Sequence, residues 1–411
     1  MKLLHTADWH LNDRLGRIDR TDDLRAAVER IAKICKDEKV DVLIVAGDLF
    51  SELARPDALR ETIYHWQQVF SDFLGSGGTI LTLTGNHDNE NFCQTLRHAM
   101  SLAAPNITKI GDRVPPGRLY LAAEPTLLKV ADRTGNFDVK FVLMPYPTPT
   151  RYLRGEAGQK YTSPGEKHRL LNTAFAEALD GLRRHTEFQG TGPSVLSAHV
   201  HVQGSQFGTS PFRMTADEDV ILAADAWAAQ FDYVALGHIH KPQFIGREHV
   251  RYSGSIEKMD LGERNDVKGV LLFELGPKGL VGEVKVLPLP SSPIYEVNVF
   301  DPPNDLPRLK AEFPDAQQDL VNLHIIYTAG RDHLEELLRE LDAIFPRWYA
   351  RDWKETGRVG PTLTIGEADR TRSFTETVND YLSQELMGRS EEEREELLRL
   401  AKELIDQMPA T

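Results

Sequence analysis

The chain has 411 residues, of which 41% are hydrophobic and 27% charged, and its formal net charge is −14. This composition is that of a soluble globular protein of two to three domains, and no apolar stretch is long enough to predict a membrane span. The acidic balance argues against a typical nucleic-acid binder, although metal ligands count as negative until metal is bound. Composition therefore leaves the class of partner open.

The N-terminus and the cysteines indicate an intracellular protein. Asp8 and His10 come too early for the apolar core of a secretory signal. The two cysteines, Cys35 and Cys93, are too few for a disulfide framework, and both lie in helix-like sequence. We therefore expect buried free thiols in a reducing cytoplasm.

Strand and helix patterns alternate at the start of the chain. Residues 2–8, 41–48 and 79–87 predict short buried strands. Between them, 21–40 and 56–78 carry apolar residues at spacings of three and four, which predicts two amphipathic helices. This order predicts parallel strands with right-handed crossovers, and ligands in such sheets collect outside the carboxyl ends of the strands.

Polar residues that can bind metal stand at those carboxyl ends. The later apolar runs 193–204 and 231–242 repeat the plan, because both end in histidines. The five strand ends carry Asp8, His10, Asp48, Asn86, His87, His199, His238 and His240. Imidazole and carboxylate together suit manganese, iron or zinc, and one aspartate can bridge two ions. A single such histidine is more often structural, but five strand ends with the same pattern predict a metal centre.

The motifs D-x-H, G-D, G-N-H-D, a strand-end histidine and G-H-x-H, in that order, resemble those of calcineurin-like metallophosphoesterases. Within that superfamily the chain resembles the SbcD-type nuclease subunits of DNA double-strand-break repair. The stretches LLHTADWHL, VAGDLF, GHIHKPQ and residues 250–275 carry this narrower resemblance. It is dense over 1–100 and 195–275, and only architectural after about residue 290.

The resemblance implies an α/β fold, a four-layer α-β-β-α sandwich with a small α+β capping domain and a C-terminal helical extension. The expected domains are a nuclease domain at 1–290, a capping domain at 291–368 and a helix-loop-helix at 369–411. In the capping region, 294–300 and 319–329 predict strands and 331–345 predicts a helix.

The resemblance also implies a ligand set for two metal ions, two Mn²⁺ with Mg²⁺, Fe or Zn²⁺ as alternatives. The ligands are Asp8, His10, Asp48 and His240 for the first ion, and Asp48, Asn86, His199 and His238 for the second. Two ions about 3.5–4 Å apart clamp the attacking and leaving oxygens of a phosphoryl displacement. His201 competes with His199, which the strand-end pattern favours, and His201 is expected at the surface or facing substrate.

The resemblance gives His87 and Asp88 a catalytic role without metal ligation. His87 would meet the scissile phosphate, where it stabilises charge or protonates the leaving oxygen, and Asp88 would position it. Ser51 departs from the family pattern, because many members have His or Asp at that place. The rate and polarity of exonuclease action therefore do not carry over.

A basic segment at 146–170 interleaves cations with aromatic rings. The candidate DNA contacts in it are Arg151, Tyr152, Arg154 and Lys160. Cations suit phosphates and rings suit bases, but a solvated loop explains the same composition equally well.

Two C-terminal helices, predicted at 373–386 and 390–408, carry apolar stripes that need a partner. By resemblance they would grip an SbcC-like ATPase of the ABC/SMC type, and packing against their own domain is the alternative. Residues 60–70 and 92–100 would form a homodimer bundle, again by resemblance alone.

The leading hypothesis is a manganese-dependent nuclease of an SbcCD-like complex, a duplex exonuclease and single-strand endonuclease acting on DNA in the cytoplasm, at the nucleoid. An alternative keeps the chemistry but takes a small or cyclic nucleotide as substrate. A third hypothesis is a binding subunit that has lost catalysis, which the complete set of eight site residues argues against.

Overall fold

The computed structural model describes residues 1–52, 54–103, 110–153, 161, 163–206, 221–223 and 227–357, and 382, 386, 394 and 396–401 near the C-terminus. The strands are β1 Lys2–Thr6, β2 Arg14–Leu15, β3 Ile18–Asp19, β4 Val42–Val45, β5 Thr79–Leu83, β6 Leu119–Ala122, β7 Thr126–Ala131, β8 Asp138–Met144, β9 Ser194–His199, β10 His201–Val202, β11 Ile221–Leu222, β12 Tyr233–Gly237, β13 Gln243–Ile245, β14 Arg247–Tyr252, β15 Gly269–Gly276, β16 Gly279–Pro288, β17 Ile294–Val299, β18 Leu320–Thr328 and β19 Trp348–Thr356. The helices are α1 Thr21–Asp37, α2 Pro56–Gly75, α3 Glu90–Ala103, α4 Pro149–Tyr152, α5 Pro164–Arg184, α6 Thr186–Gln189, α7 Pro302–Glu312 and α8 Leu334–Ile344.

The first large sheet has the strand order β16-β15-β1-β4-β5-β6. β1 pairs with β4 and β4 with β5 in parallel, which confirms the prediction from the alternating pattern. Thr6 lies opposite Val45, and Val45 lies opposite Thr82. Because the strands are in this register, the three segments that follow them leave the sheet at the same edge.

The second large sheet has the order β13-β14-β12-β9-β8-β7. β9 and β12 pair in parallel and end together, with His199 opposite Gly237. His238 therefore follows directly at the edge where His199 stands.

Three apolar cores separate four layers. The first, which includes Leu24 and Trp66, lies between α1, α2 and the first sheet. The second joins the inner faces of the two sheets, and the third, which includes Phe175, lies between the second sheet and α5. The expected α-β-β-α sandwich is confirmed.

The chain divides into two compact units, Met1–Ile325 with Glu335–Trp353, and Ile326–Leu334 with Lys354–Thr411. The predicted strands and helix after residue 290 are confirmed as β17, β18 and α8, and the sheet order there is β17-β18-β19. In the second unit, Tyr327 Oη donates a hydrogen bond to Glu355 Oε2 at 3.1 Å.

The boundaries between the three expected domains stay a prediction. Almost all of the predicted helices at 373–386 and 390–408 lies outside the described residues. None of the described helices combines the length and the apolar character that crossing a membrane requires.

His5 of β1 is a fully buried histidine between the sheets. Its Nδ1 lies 3.1 Å from the Tyr233 hydroxyl, and its Nε2 lies 3.2 Å from the Leu236 carbonyl oxygen. Burial lowers the pKa of His5 to about 3. The folded protein therefore holds this ring neutral, whereas the unfolded chain protonates it below about pH 6.5.

We expect acid to destabilise the protein through His5. Since the unfolded state binds the extra proton, the free energy of unfolding falls by about 2 kcal/mol between about pH 7.5 and about pH 5. The free energy of unfolding, measured by chemical denaturation, should not show this fall in His5→Gln. His333→Gln, at an exposed position, should show the same fall as the wild type. Equal pH dependence in wild type and His5→Gln would contradict the prediction.

Candidate metal centre

The predicted strand-end residues of both sheets come together. In the part of the chain that the structure describes, three groups of His and Asp have ligand atoms within 4.8 Å of one another. The groups are Asp8, His10 and His240; His10, Asp48 and His87; and Asp8, Asp48 and His199. Asn86 joins them, because its Oδ1 lies 3.1 Å from His199 Nε2 and 2.9 Å from His238 Nδ1.

Asp48 lies between the two sides of this cluster. Its Oδ2 is 3.6 Å from His10 Nε2 and 3.2 Å from His199 Nε2. Its Oδ1 accepts a hydrogen bond of 2.9 Å from the backbone N–H of His87. One fully buried carboxylate therefore faces groups from both sheets.

The loops at the site adopt backbone conformations that L-residues rarely take. Positive φ angles occur at Asp8 (53°), His10 (43°), Asp48 (51°) and His238 (96°). Each costs of order 1–3 kcal/mol and persists only where the surroundings enforce it. The Asp48 carbonyl provides part of that enforcement, since it accepts hydrogen bonds from the N–H groups of Trp9 (2.8 Å) and His10 (3.0 Å).

Two glycines allow the close approach of these loops. A methyl group on Gly85 would lie 2.0 Å from Asp48 Oδ1. On Gly237, in the other sheet, it would lie 1.9 Å from the Ala46 carbonyl oxygen and 2.8 Å from His199 Nδ1. Any side chain at either position would displace the groups of the site.

The donor set fits a divalent cation. His199 Nδ1 donates to the Ala46 carbonyl at 2.7 Å, so its Nε2, which faces the oxygens of Asp48 and Asn86, is the nitrogen that can bind a metal ion in exchange for a proton. Asp8 Oδ1 accepts from the His238 N–H, whereas the buried Asp8 Oδ2 has no hydrogen-bond partner among the described residues. Converging lone pairs and an orphaned carboxylate oxygen are what a metal ion satisfies.

The electrostatics of the site point the same way. Burial disfavours the charged ring of His199, but the carboxylates of Asp48 and Asp8 raise its pKa to about 9. Burial also opposes ionisation of Asp48, yet His199 and His10 hold the pKa of Asp48 well below its usual range. Burial raises the pKa of Asp8. The pocket therefore favours positive charge at its centre.

The calcineurin-like phosphoesterase family model matches residues 1–242, more than half of the chain. The chain belongs to the calcineurin-like phosphoesterase family. It is therefore a metal-dependent hydrolase of phosphate esters, and its family uses divalent metal ions.

Several curated relatives of this phosphoesterase carry the name of the SbcD subunit of the nuclease SbcCD. The SbcD subunit of Bacillus subtilis is 26% identical over 281 residues, which is 67% of each chain. The protein of the same name from Escherichia coli K12 is 26% identical over 354 residues, 84% of this chain and 82% of the relative. The alignment with a solved dimetal phosphatase from Danio rerio spans 71% of this chain and 99% of that protein, at 9% identity and a TM-score of 0.36.

His87 and Asp88 of the phosphoesterase occupy different environments. The His87 ring lies 5.0 Å from the ring of His10, and its Nδ1 is 3.7 Å from Glu52 Oε2. The Asp88 carboxylate instead accepts the N–H groups of Phe50 (2.9 Å) and Gly85 (2.8 Å). Asp88 thus joins the loops after β4 and β5, and its role in positioning His87 stays a prediction.

Two of the candidate DNA contacts have packed side chains. Arg151 is 4% exposed and donates to the Tyr146 carbonyl, and the Tyr152 hydroxyl donates to the Pro145 carbonyl at 2.7 Å. Their role in substrate binding stays a prediction. Arg154 and Lys160 lie outside the described residues.

The cysteines, His201 and Ser51 are all buried. Cys35 and Cys93 are free and buried, as predicted. His201 is 5% exposed in β10, so a position at the surface is wrong, and the alternative that it faces substrate stays a prediction. Ser51 is buried, and its hydroxyl donates to Asp13 Oδ1 at 3.1 Å.

Two neighbours of the site were not predicted to lie there, although Tyr146 opens the basic segment that the sequence singles out. The Tyr146 ring centroid lies 5.4 Å from that of His238. Glu263 Oε1 lies 2.8 Å from His240 Nδ1. Glu263 belongs to the stretch 250–275, which the sequence marks only as part of the resemblance, and no spacing rule links it to His240.

We expect Gly237→Ala to disrupt the site. The new methyl group must push away the Ala46 carbonyl and the His199 ring, so the affinity for Mn²⁺ should fall by at least about tenfold and the melting temperature should drop. Calorimetric titration and thermal melting measure both. Gly181→Ala in α5 is the control, since nothing lies within 4 Å of its added methyl group. Equal behaviour of the two variants would refute the packing argument.

Proposed function

We propose that this phosphoesterase is a manganese-dependent DNA nuclease of an SbcCD-like complex, a duplex exonuclease and single-strand endonuclease. Its similarity to SbcD subunits of the nuclease SbcCD over 67–84% of the chain supports the substrate. The observation that carries the proposed chemistry is the position of Asp48, whose Oδ2 faces His10 and His199 at once.

The proposed ligands are those that the sequence indicates. Asp8, His10, Asp48 and His240 would hold one ion, and Asp48, Asn86, His199 and His238 the other. Two bound Mn²⁺ ions would supply Lewis-acid stabilisation of a phosphodiester and a nucleophile at neutral pH. The distances within each group support this division, since His10 Nε2 and His240 Nε2 are 3.0 Å apart and Asn86 Oδ1 contacts both histidines of the other group.

His87 would act on the phosphate from the mouth of the site. About a quarter of its side chain is exposed, in contrast to the buried metal-binding groups beside it. We propose that it stabilises phosphate charge or gives a proton to the leaving oxygen. Asp88 would support it indirectly, because its two backbone hydrogen bonds hold the turn on which His87 stands.

The segment 151–160 is the proposed DNA contact. The buried contacts of Arg151 and Tyr152 would anchor its first turn, α4, beside Tyr146. Arg154 and Lys160 would then be the cations that meet phosphates.

The proposed partners follow from the relatives' name and from exposed apolar groups. Because the relatives are named as one subunit of SbcCD, we propose that residues 369–411 bind an SbcC-like ATPase. We also propose a homodimer through residues 60–70 of α2 and 92–100 of α3, where Tyr64 is 59% exposed. The site of action would be cytoplasmic DNA at the nucleoid.

We expect the protein with Mn²⁺ to degrade linear duplex DNA, and a chelator to abolish the reaction. His87→Ala should slow cleavage by about 10²- to 10⁴-fold and leave Mn²⁺ binding unchanged, because the ring lies outside the proposed ligand set. Gel assays and calorimetric titration measure these two quantities.

A small chromogenic phosphodiester, assayed in parallel, provides the comparison. If the protein hydrolyses this compound but leaves the DNA uncut, the nuclease proposal must be replaced by that of a phosphodiesterase acting on small nucleotides. Loss of Mn²⁺ binding in His87→Ala would show that His87 is a ligand.

Deletion of 371–411 should abolish association with an SbcC-like ATPase and leave basal DNA cleavage intact, since the proposed site lies wholly within residues 8–240. Co-purification of the two proteins and the DNA assay test this. Unchanged association would remove the proposed role of the tail.

A further inference from the structure

His240 is held at both its ring and its backbone by two buried charged residues. Its Nδ1 donates to Glu263 Oε1 at 2.8 Å. Lys268 Nζ donates to the His240 carbonyl at 2.9 Å and to Glu263 Oε2 at 2.6 Å. Glu263 and Lys268 are 4% and 1% exposed, so this triangle is shielded from water.

The Glu263 carboxylate is fixed by further donors. Its Oε2 also accepts the Ser255 hydroxyl at 3.2 Å and the Met259 N–H at 3.1 Å. Together with His240 and Lys268, four donors therefore hold the carboxylate in a single orientation.

A carboxylate at Nδ1, itself paired with Lys268, determines the tautomer of His240. The proton sits on Nδ1, so Nε2 presents a lone pair. That Nε2 belongs to the group of Asp8, His10 and His240, and it lies 3.0 Å from His10 Nε2. A carboxylate behind a ligating imidazole fixes the ring plane and raises its basicity toward a metal.

We infer that Glu263, braced by Lys268, is a positioning residue that orients His240 and so sets the affinity of the Asp8–His10–His240 group for a divalent cation. The inference rests on the proposed function, because it is there that this group is assigned to one ion. A purely structural ion pair would stabilise the fold without favouring one metal group over another.

Two double variants separate these roles. Glu263→Gln with Lys268→Met, and Glu263→Leu with Lys268→Met, both remove the buried charge pair together, which proteins tolerate better than an unpaired charge. They differ in one respect, because only glutamine keeps an acceptor oxygen for Nδ1–H of His240. A difference in Mn²⁺ affinity between the two variants therefore measures the effect of the hydrogen bond to His240 Nδ1.

The full-length protein, stripped of metal, is titrated with Mn²⁺ by calorimetry. We expect the leucine variant to lose about 10- to 100-fold in affinity at one of two sites, and the glutamine variant to stay close to wild type. Equal Mn²⁺ binding by the two variants would overturn the inference.

A second readout needs no variant. Imidazole ¹⁵N spectra of the metal-free wild type should show His240 protonated at Nδ1, and a proton at Nε2 alone would overturn the inference. Neither measurement uses DNA. If the wild type leaves DNA intact while only the leucine variant loses affinity for Mn²⁺, the nuclease proposal alone is refuted. If the wild type cleaves DNA while the two variants bind Mn²⁺ equally, the role of Glu263 alone is refuted.

Discussion

The depth at which Asp48 is buried constrains every other part of the site. Its carboxylate faces histidines from both sheets, and its carbonyl accepts the N–H groups of Trp9 and His10. A group so placed must be charged to bind metal, yet burial opposes that charge. The fold resolves the conflict by surrounding one aspartate with imidazole rings, and the glycines at 85 and 237 make room for them.

The convergence of the ligands could be read from the sequence because it follows from a rule about sheets. Asp8, Asp48 and Asn86 each come just after a buried apolar run, and parallel strands end at one edge. The same logic places His199 and His238 together. This convergence can be predicted from the apolar runs and their order in the sequence alone, and the parallel pairing of the strands agrees with it.

Contacts between loops could not be read in this way. Asp88 binds two backbone N–H groups rather than the neighbouring imidazole, and Arg151 is buried against a carbonyl. Glu263 contacts His240 although the two lie 23 positions apart, and no helical or strand periodicity in that stretch predicts the contact. Such pairings depend on how turns pack after the sheets dock, as do the positive φ angles at the site.

The division of the ligands between two sheets has a consequence for biosynthesis. His199 Nδ1 reaches the Ala46 carbonyl across 153 positions of the chain, and His240 is later still. A polypeptide still emerging from the ribosome cannot assemble this centre from its first sheet alone. The complete set of proposed ligands is thus present only once both sheets have been made and joined, and a product that ends before His199 lacks the three histidines that the second sheet supplies.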